Sequence, residues 1–132
     1  MVNWRTVITG FILAIILSEF LGVIGLSIGA AFGLSGGTTG QIIGYLLAAV
    51  YVGYSINGNY ITGAIYGAII GFIGGLVSLI VTGAILGVFV VNIGSITVLV
   101  LESILYAIVG AIGGITGFII RVYFSIKEEP SV

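Results

Sequence analysis

The sequence contains no cysteine, no histidine and no aspartate, a single proline and only three basic residues, Arg5, Arg121 and Lys127. These absences exclude a good deal of chemistry. Without thiol or imidazole there is no Cys nucleophile, no Ser-His-Asp triad and no usual zinc site, so we expect no catalytic residue, no metal site and no cofactor. Three cations cannot neutralise a phosphate backbone, and the formal charge is −1, so nucleic acid is not expected as a partner. The missing cysteines also leave no redox compartment to read.

What is present is apolar. Hydrophobic residues make up 60% of the 132 positions and charged residues 5%, against about 25% charged in ordinary globular chains, and the mean hydropathy is +1.41. A soluble domain could not cover such a chain with polar surface. Four apolar runs stand out, about 6–32, 40–56, 61–91 and 96–124, separated by GLSGGTT (Gly33 to Thr39), NGNY (Asn57 to Tyr60) and NIGS (Asn92 to Ser95). The first run, with Arg5 ahead of it and Gly29 and Ala31 near its end, has the outline of a signal peptide. It is too long for one and is interrupted by Glu19, so it reads as a retained span.

Transmembrane strands alternate apolar and polar residues, whereas Ile85-Leu86-Gly87-Val88-Phe89-Val90-Val91 is apolar on both alternating sets. The expected fold is therefore all-α, a polytopic membrane protein of four transmembrane helices in one domain, with the lipid bilayer as its surroundings. Basic residues flank the first and last runs and are absent from the turns, which places both termini in the cytoplasm of a multi-pass cell-membrane protein. Trp4, Tyr60 and Tyr123 fall where interfacial aromatics are expected.

Glycine is abundant, with 23 residues, and it is concentrated where helices are expected. In GAIYGAIIGFIGG, Gly63, Gly67, Gly71 and Gly74 share one helical face, which Ser78 and Thr82 extend. In water each would cost roughly 1 kcal/mol against alanine. In lipid the helix is enforced, and a smooth stripe lets a neighbouring backbone approach closely. Similar faces recur as Gly10, Ala14, Ser18 and Gly22, as Gly40 and Gly44, and as Ser103, Ala107, Gly110, Gly114 and Gly117. Packing of the helices through these faces is expected, inside one chain or across a homo-oligomer or larger membrane complex. The segment Ile8 to Leu26 also aligns without gaps with Ile61 to Leu79, a weak repeat that chance or duplication would explain equally.

Glu19 and Glu102 are the only charged residues well inside the runs. An acidic residue at mid-membrane costs on the order of 2.5–3.5 kcal/mol, which the surrounding Leu and Ile offset. Protonation is the expected way to admit such a group to hydrocarbon. At 1.5 Å per residue, Glu19 lies roughly 20 Å from Arg5 and Glu102 roughly 28 Å from Arg121, so both lean to the outer half. Ser18, Ser103 and Tyr106 are their nearest hydroxyl candidates in sequence; a proton or cation site on a transport path is the functional alternative. Gln41, Asn57, Asn59 and Asn92 read as turn and interface residues.

The stretch GQIIGYLLAAVYVGYSINGNYITGAIYGAIIGFIGG resembles the central signature of a family of small uncharacterised four-helix membrane proteins common in archaea. Gly44 and Tyr45 match its Gly-Tyr element, and Gly63, Ala64, Gly67 and Gly71 match its spaced glycines. The turn lacks charges that many similar proteins carry. The resemblance implies the architecture and an archaeal membrane, and no activity. The expected function is that of a non-enzymatic accessory or scaffold subunit acting through helix–helix assembly. The alternative is a small proton or cation channel or carrier using Glu19 and Glu102.

Overall fold

The computed structural model describes residues 4–32, 36–86 and 93–127, and all regular structure among them is helical. The order is α1 (Trp4–Phe32), α2 (Gly36–Ser55), α3 (Tyr60–Leu86) and α4 (Ile93–Lys127). Two helices start earlier than the apolar runs suggest. Gly36 to Thr39, read as part of a turn, form the first turn of α2, and Ile93 to Ser95 open α4. The reason at α2 is contact: a methyl group on Gly36 would meet the Gly25 backbone of α1, and one on Gly37 would meet the Leu26 side chain. These glycines serve approach between helices rather than chain reversal. Asn92, the end of the third run (87–91) and the side chain of Thr82 lie outside the described residues.

The turn between α2 and α3 is held by three devices. The Ile56 amide donates to the Val52 carbonyl at 3.0 Å, extending the last turn of α2. Asn59 caps α3: its Oδ1 accepts from the Thr62 amide at 2.9 Å and from the Thr62 hydroxyl at 2.9 Å, which satisfies an amide that a helix start otherwise leaves unpaired. Arg121 of α4 reaches across, donating to the Ile56 carbonyl at 2.5 Å and to Asn57 Oδ1. A cation at the end of α2 also suits the negative end of its dipole.

The helices pack as two antiparallel pairs, α1 with α2 and α3 with α4, joined mainly along α2 and α4. Weaker contacts link α3 to α1 and to α2, while among the described residues the backbones of α1 and α4 stay apart. Within the second pair the approach is backbone to backbone. A methyl group on Gly63 would meet the Gly114 carbonyl, one on Gly67 the Gly110 carbonyl and one on Gly71 the Tyr106 carbonyl, and Gly110 and Gly114 are blocked reciprocally. Gly74 faces elsewhere, against the ring of Tyr45 on α2.

The buried cluster is small: Tyr45, Ala48 and Val52 of α2, Ile56 just after it, and Ala14, Ile70 and Tyr106 from the other helices. Large aliphatics such as Ile8, Ile12, Ile16, Ile65 and Ile69 stand exposed on the outside. Three helices contain stretches long and apolar enough to cross a membrane, Trp4–Ala31, Tyr60–Ser78 and Ile96–Lys127. α2 is outside that set. It opens on Gly-Gly-Thr-Thr and carries Gln41, and much of it is turned toward the other helices.

Candidate functional site

Interior side chains with polar atoms gather in the half of the bundle away from the Asn57 turn. α2 supplies Gln41 and Tyr45, one helical turn apart and so on one face. α1 supplies Ser18 and Glu19, α3 supplies Ser78, and α4 supplies Glu102, Ser103 and Tyr106. Ser18, Ser78 and Ser103 are buried, and the carboxylates are half-buried.

Glu19 is reached from a different helix. The Ser78 hydroxyl of α3 donates to Glu19 Oε1 of α1, a charge-assisted bond if the carboxylate is ionised. The hydroxyls nearest in sequence take other partners. Ser18 donates to the Ile15 carbonyl at 3.1 Å and Ser103 to the Leu99 carbonyl at 2.8 Å, both within their own helices, the usual resort of serine inside a helix. Tyr106 donates to Gln41 Oε1 at 3.0 Å. Ser18, Ser103 and Tyr106, expected as partners of the glutamates, bond elsewhere, and the hydroxyl that reaches Glu19 is Ser78.

Glu102 makes no hydrogen bond among the described residues and lies one helical turn before Tyr106 on α4. The rings of Tyr106 and Tyr45 stack at 4.6 Å between centroids and 31° between planes, a tilted arrangement within the favourable range for aromatic pairs. Tyr45 is 1% exposed. Its ring rests where Gly74 has no side chain, one helical turn before Ser78 on α3. The Tyr45 hydroxyl has no partner in hydrogen-bond geometry among the described residues.

Buried polar atoms are rarely left unpaired, so Tyr45 marks the place where the arrangement has capacity to spare. One helical turn beyond Gly74, against which the Tyr45 ring lies, Ser78 of α3 donates to the Glu19 carboxylate of α1. Such a set can hold a proton or coordinate a hard cation; it offers no nucleophile with a base beside it. Among the described residues there is no group of three or more acidic or metal-binding side chains.

Tyr45, Gln41 and Ser78 were not singled out from the sequence as site residues. One signal was available: Gln41, Tyr45, Ala48 and Val52 follow the helical spacing of a buried face, and two of the four carry polar atoms. No curated protein and no solved structure matches the chain. A family model does, over residues 4–120, which takes in α1 to α3, most of α4 and every residue of the site. The chain belongs to the DUF5518 family, a family of unknown function.

Proposed function

We propose that this chain is a non-enzymatic integral membrane protein that spans an archaeal cell membrane four times with both termini inside, and that it binds and moves a proton or small cation through Glu19. The observation carrying this reading is the Ser78–Glu19 bond between helices beside a buried Tyr45 hydroxyl with no partner. Ionisable groups inside membranes are costly and are characteristic of ion and proton paths. Ser78 of α3 bonds Glu19 of α1 across the seam between the two helical pairs. The fourth span is α2, whose polar residues face its neighbours rather than lipid. The setting in an archaeon follows from the family resemblance, and the orientation from the placement of Arg5, Arg121 and Lys127.

The small-residue faces bear on the competing reading, assembly into a scaffold. In our reading Gly63, Gly67, Gly71, Gly110 and Gly114 hold α3 to α4 within one chain, and Gly74 receives Tyr45 of α2. They are then not available to a second subunit. A seat in a complex would use another surface, and the end of α4 supplies one: Val122 to Lys127 run about 9 Å past Arg121, with Tyr123, Phe124 and Ile126 exposed.

The test is flux into liposomes containing the purified chain. Wild type is expected to conduct protons or sodium above empty vesicles, and Glu19→Gln, which keeps shape but not charge, is expected to lose that flux with folding intact. Glu102→Gln is expected to reduce it less, since Glu102 does not join the Ser78 bond. Flux equal to empty vesicles at every pH and cation tried would leave assembly as the function.

A further inference from the structure

We propose that the two helical pairs open on one another at the end away from the Asn57 turn, hinging on glycine contacts at the other end and admitting water through a gate formed by Tyr45, Tyr106 and Gln41. The device goes beyond the reading of Glu19 given above and stands whether or not that carboxylate carries an ion. It rests on how the pairs are joined. Toward the Asn57 turn the junction is backbone against backbone: a methyl group on Gly53 would meet the Gly114 carbonyl, one on Gly117 the Val50 carbonyl and the Tyr54 amide, and one on Gly113 the Leu46 carbonyl. Arg121 clamps the same end through the Ile56 carbonyl and Asn57. Farther along, the junction runs through side chains. The Tyr45 ring of α2 lies on Gly74 of α3, with its centroid 4.6 Å from that of Tyr106 on α4. Tyr106 donates to Gln41 at 3.0 Å, and Ser78 donates to Glu19.

Each pair is built to move as a unit. In the first, close backbone contact runs from Gly25 with Gly36, through Gly40 with Leu21, to Gly44 with Ser18; in the second it runs from Gly63 with Gly114 to Gly71 with Tyr106. Opening breaks neither set. At the loose end a hydrogen bond such as that of Tyr106 to Gln41 exchanges for bonds to water at small net cost, whereas backbone packed against backbone at Gly53 and Gly117 has nothing comparable to gain. Tyr45 supplies a bias toward opening. Its hydroxyl lies 3.4 Å from where a methyl group on Gly74 would stand, the residue is 1% exposed, and the hydroxyl has no partner among the described residues. An unpaired buried hydroxyl is a cost, which water removes on reaching it. The way in is short, since Gln41 is about 8 Å and Tyr45 about 14 Å along α2 from its first residue, Gly36.

This bias gives the gate a signature that general loosening lacks. Tyr45→Phe keeps the ring and its stack on Tyr106 but removes the oxygen that gains from water, so it is expected to hold the gate shut. Tyr106→Phe removes the bond to Gln41 and is expected to ease the gate open. Two damaged contacts would act in the same direction; these act in opposite ones. One hydrogen bond gained or lost shifts the open population about fivefold, from a minor state of about 0.1–10%.

The chain has no cysteine, so a thiol placed in it is its only one. Ser78→Cys sets the thiol between the pairs on the opening side, at a residue 4% exposed, and Val52→Cys sets it beside the hinge, at a residue 0% exposed. Both full-length variants in lipid vesicles are treated with a charged, water-soluble methanethiosulfonate, which attacks thiolate and so reports where water reaches, and the rate is read by mass spectrometry. Supporting results are labelling of Ser78→Cys at least about tenfold faster than Val52→Cys, where global unfolding would expose both alike. Adding Tyr106→Phe is expected to speed labelling of Ser78→Cys about fivefold and adding Tyr45→Phe to slow it about fivefold, with Val52→Cys indifferent to both. Equal rates at the two sites, no labelling of Ser78→Cys, or a Tyr45→Phe chain that labels as fast as its parent would overturn the gate. Amide exchange of the cysteine-free chain repeats the test where Ser78→Cys disturbs folding: Tyr45→Phe is expected to slow exchange over residues 41–46 and leave 50–54 as they were, and unchanged exchange over 41–46 would overturn the gate as well. Absence of flux in liposomes with these labelling results intact removes the ion path and leaves the gate.

Discussion

Gly67→Ala is the most direct probe of how α3 and α4 are held. The added methyl group would point at the Gly110 carbonyl, and an added methyl on Gly110 would point back at the Gly67 carbonyl. Neither neighbour is a flexible side chain, so relief requires the two helices to separate or slide. Overpacking of this kind costs about 1–3 kcal/mol, and at 1.4 kcal/mol per factor of ten a middle value near 2 kcal/mol is about a thirtyfold loss in the folded-to-unfolded ratio. Two comparisons isolate the cause. Gly37→Ala meets the end of the Leu26 side chain, with Cγ at 2.7 Å and Cδ2 at 2.8 Å, which can rotate away, so its cost is expected to stay below about 1 kcal/mol. Ile65→Ala, on the exposed side of the same helix, is expected to be nearly neutral, because lipid tails are as apolar as the residue removed. Unfolding in mixed micelles with increasing denaturing detergent reads all three. Gly67→Ala as stable as wild type, or no worse than Gly37→Ala, would refute the claim that backbone contact joins these helices.

Two more substitutions test the turn at Asn57. Arg121→Ala removes the donors to the Ile56 carbonyl and Asn57 and is expected to destabilise by about 1–3 kcal/mol, with Arg121→Lys recovering part of it because a lysine offers charge without the planar fork; equal stability of Ala and Lys variants would deny the contact any weight. Asn59→Ala removes the cap on α3 and is expected to cost about 1 kcal/mol, whereas Asn59→Ser, which can still cap, should recover most of it; hydrogen exchange at Thr62 is the local readout.

The helical class and the break between α2 and α3 were legible because each rests on a local signal: apolar residues on both alternating sets, and an Asn-Gly turn. The start of α2 was not, since Gly36 and Gly37 look like turn residues until Gly25 and Leu26 are opposite them. Sequence spacing placed Gly63, Gly67, Gly71 and Gly74 on one stripe, but the stripe serves two neighbours, α4 for the first three and Tyr45 for the last. The weak repeat sets Ser18 opposite Gly71 and Gly22 opposite Gly75, and in the fold each lies against the helix that follows its own. Ser18 meets Gly44 and Gly22 meets Gln41, while Gly71 meets Tyr106 and Gly75 meets Ser103. Glu19 announced itself by charge alone. Its partner Ser78 could not be read from position, because a bond between α1 and α3 is set by how one helical pair docks on the other, which no local pattern encodes.

That docking gives the site its leverage. The first pair, α1 and α2, and the second, α3 and α4, are each internally in backbone contact. The side-chain bonds Ser78 to Glu19, Tyr106 to Gln41 and Arg121 to the end of α2 each run between the pairs. In the membrane proposed here there is no hydrophobic force to press one pair on the other, so these polar bonds, with the α2–α4 packing and the Tyr45–Tyr106 stack, decide how the pairs sit. Only one of the three bonds ends on a carboxylate. A proton or cation taken up at Glu19, as proposed here, would act on a bond between the two pairs, beside the backbone contacts of Gly53 with Gly114 and of Gly117 with Val50 that also hold that seam.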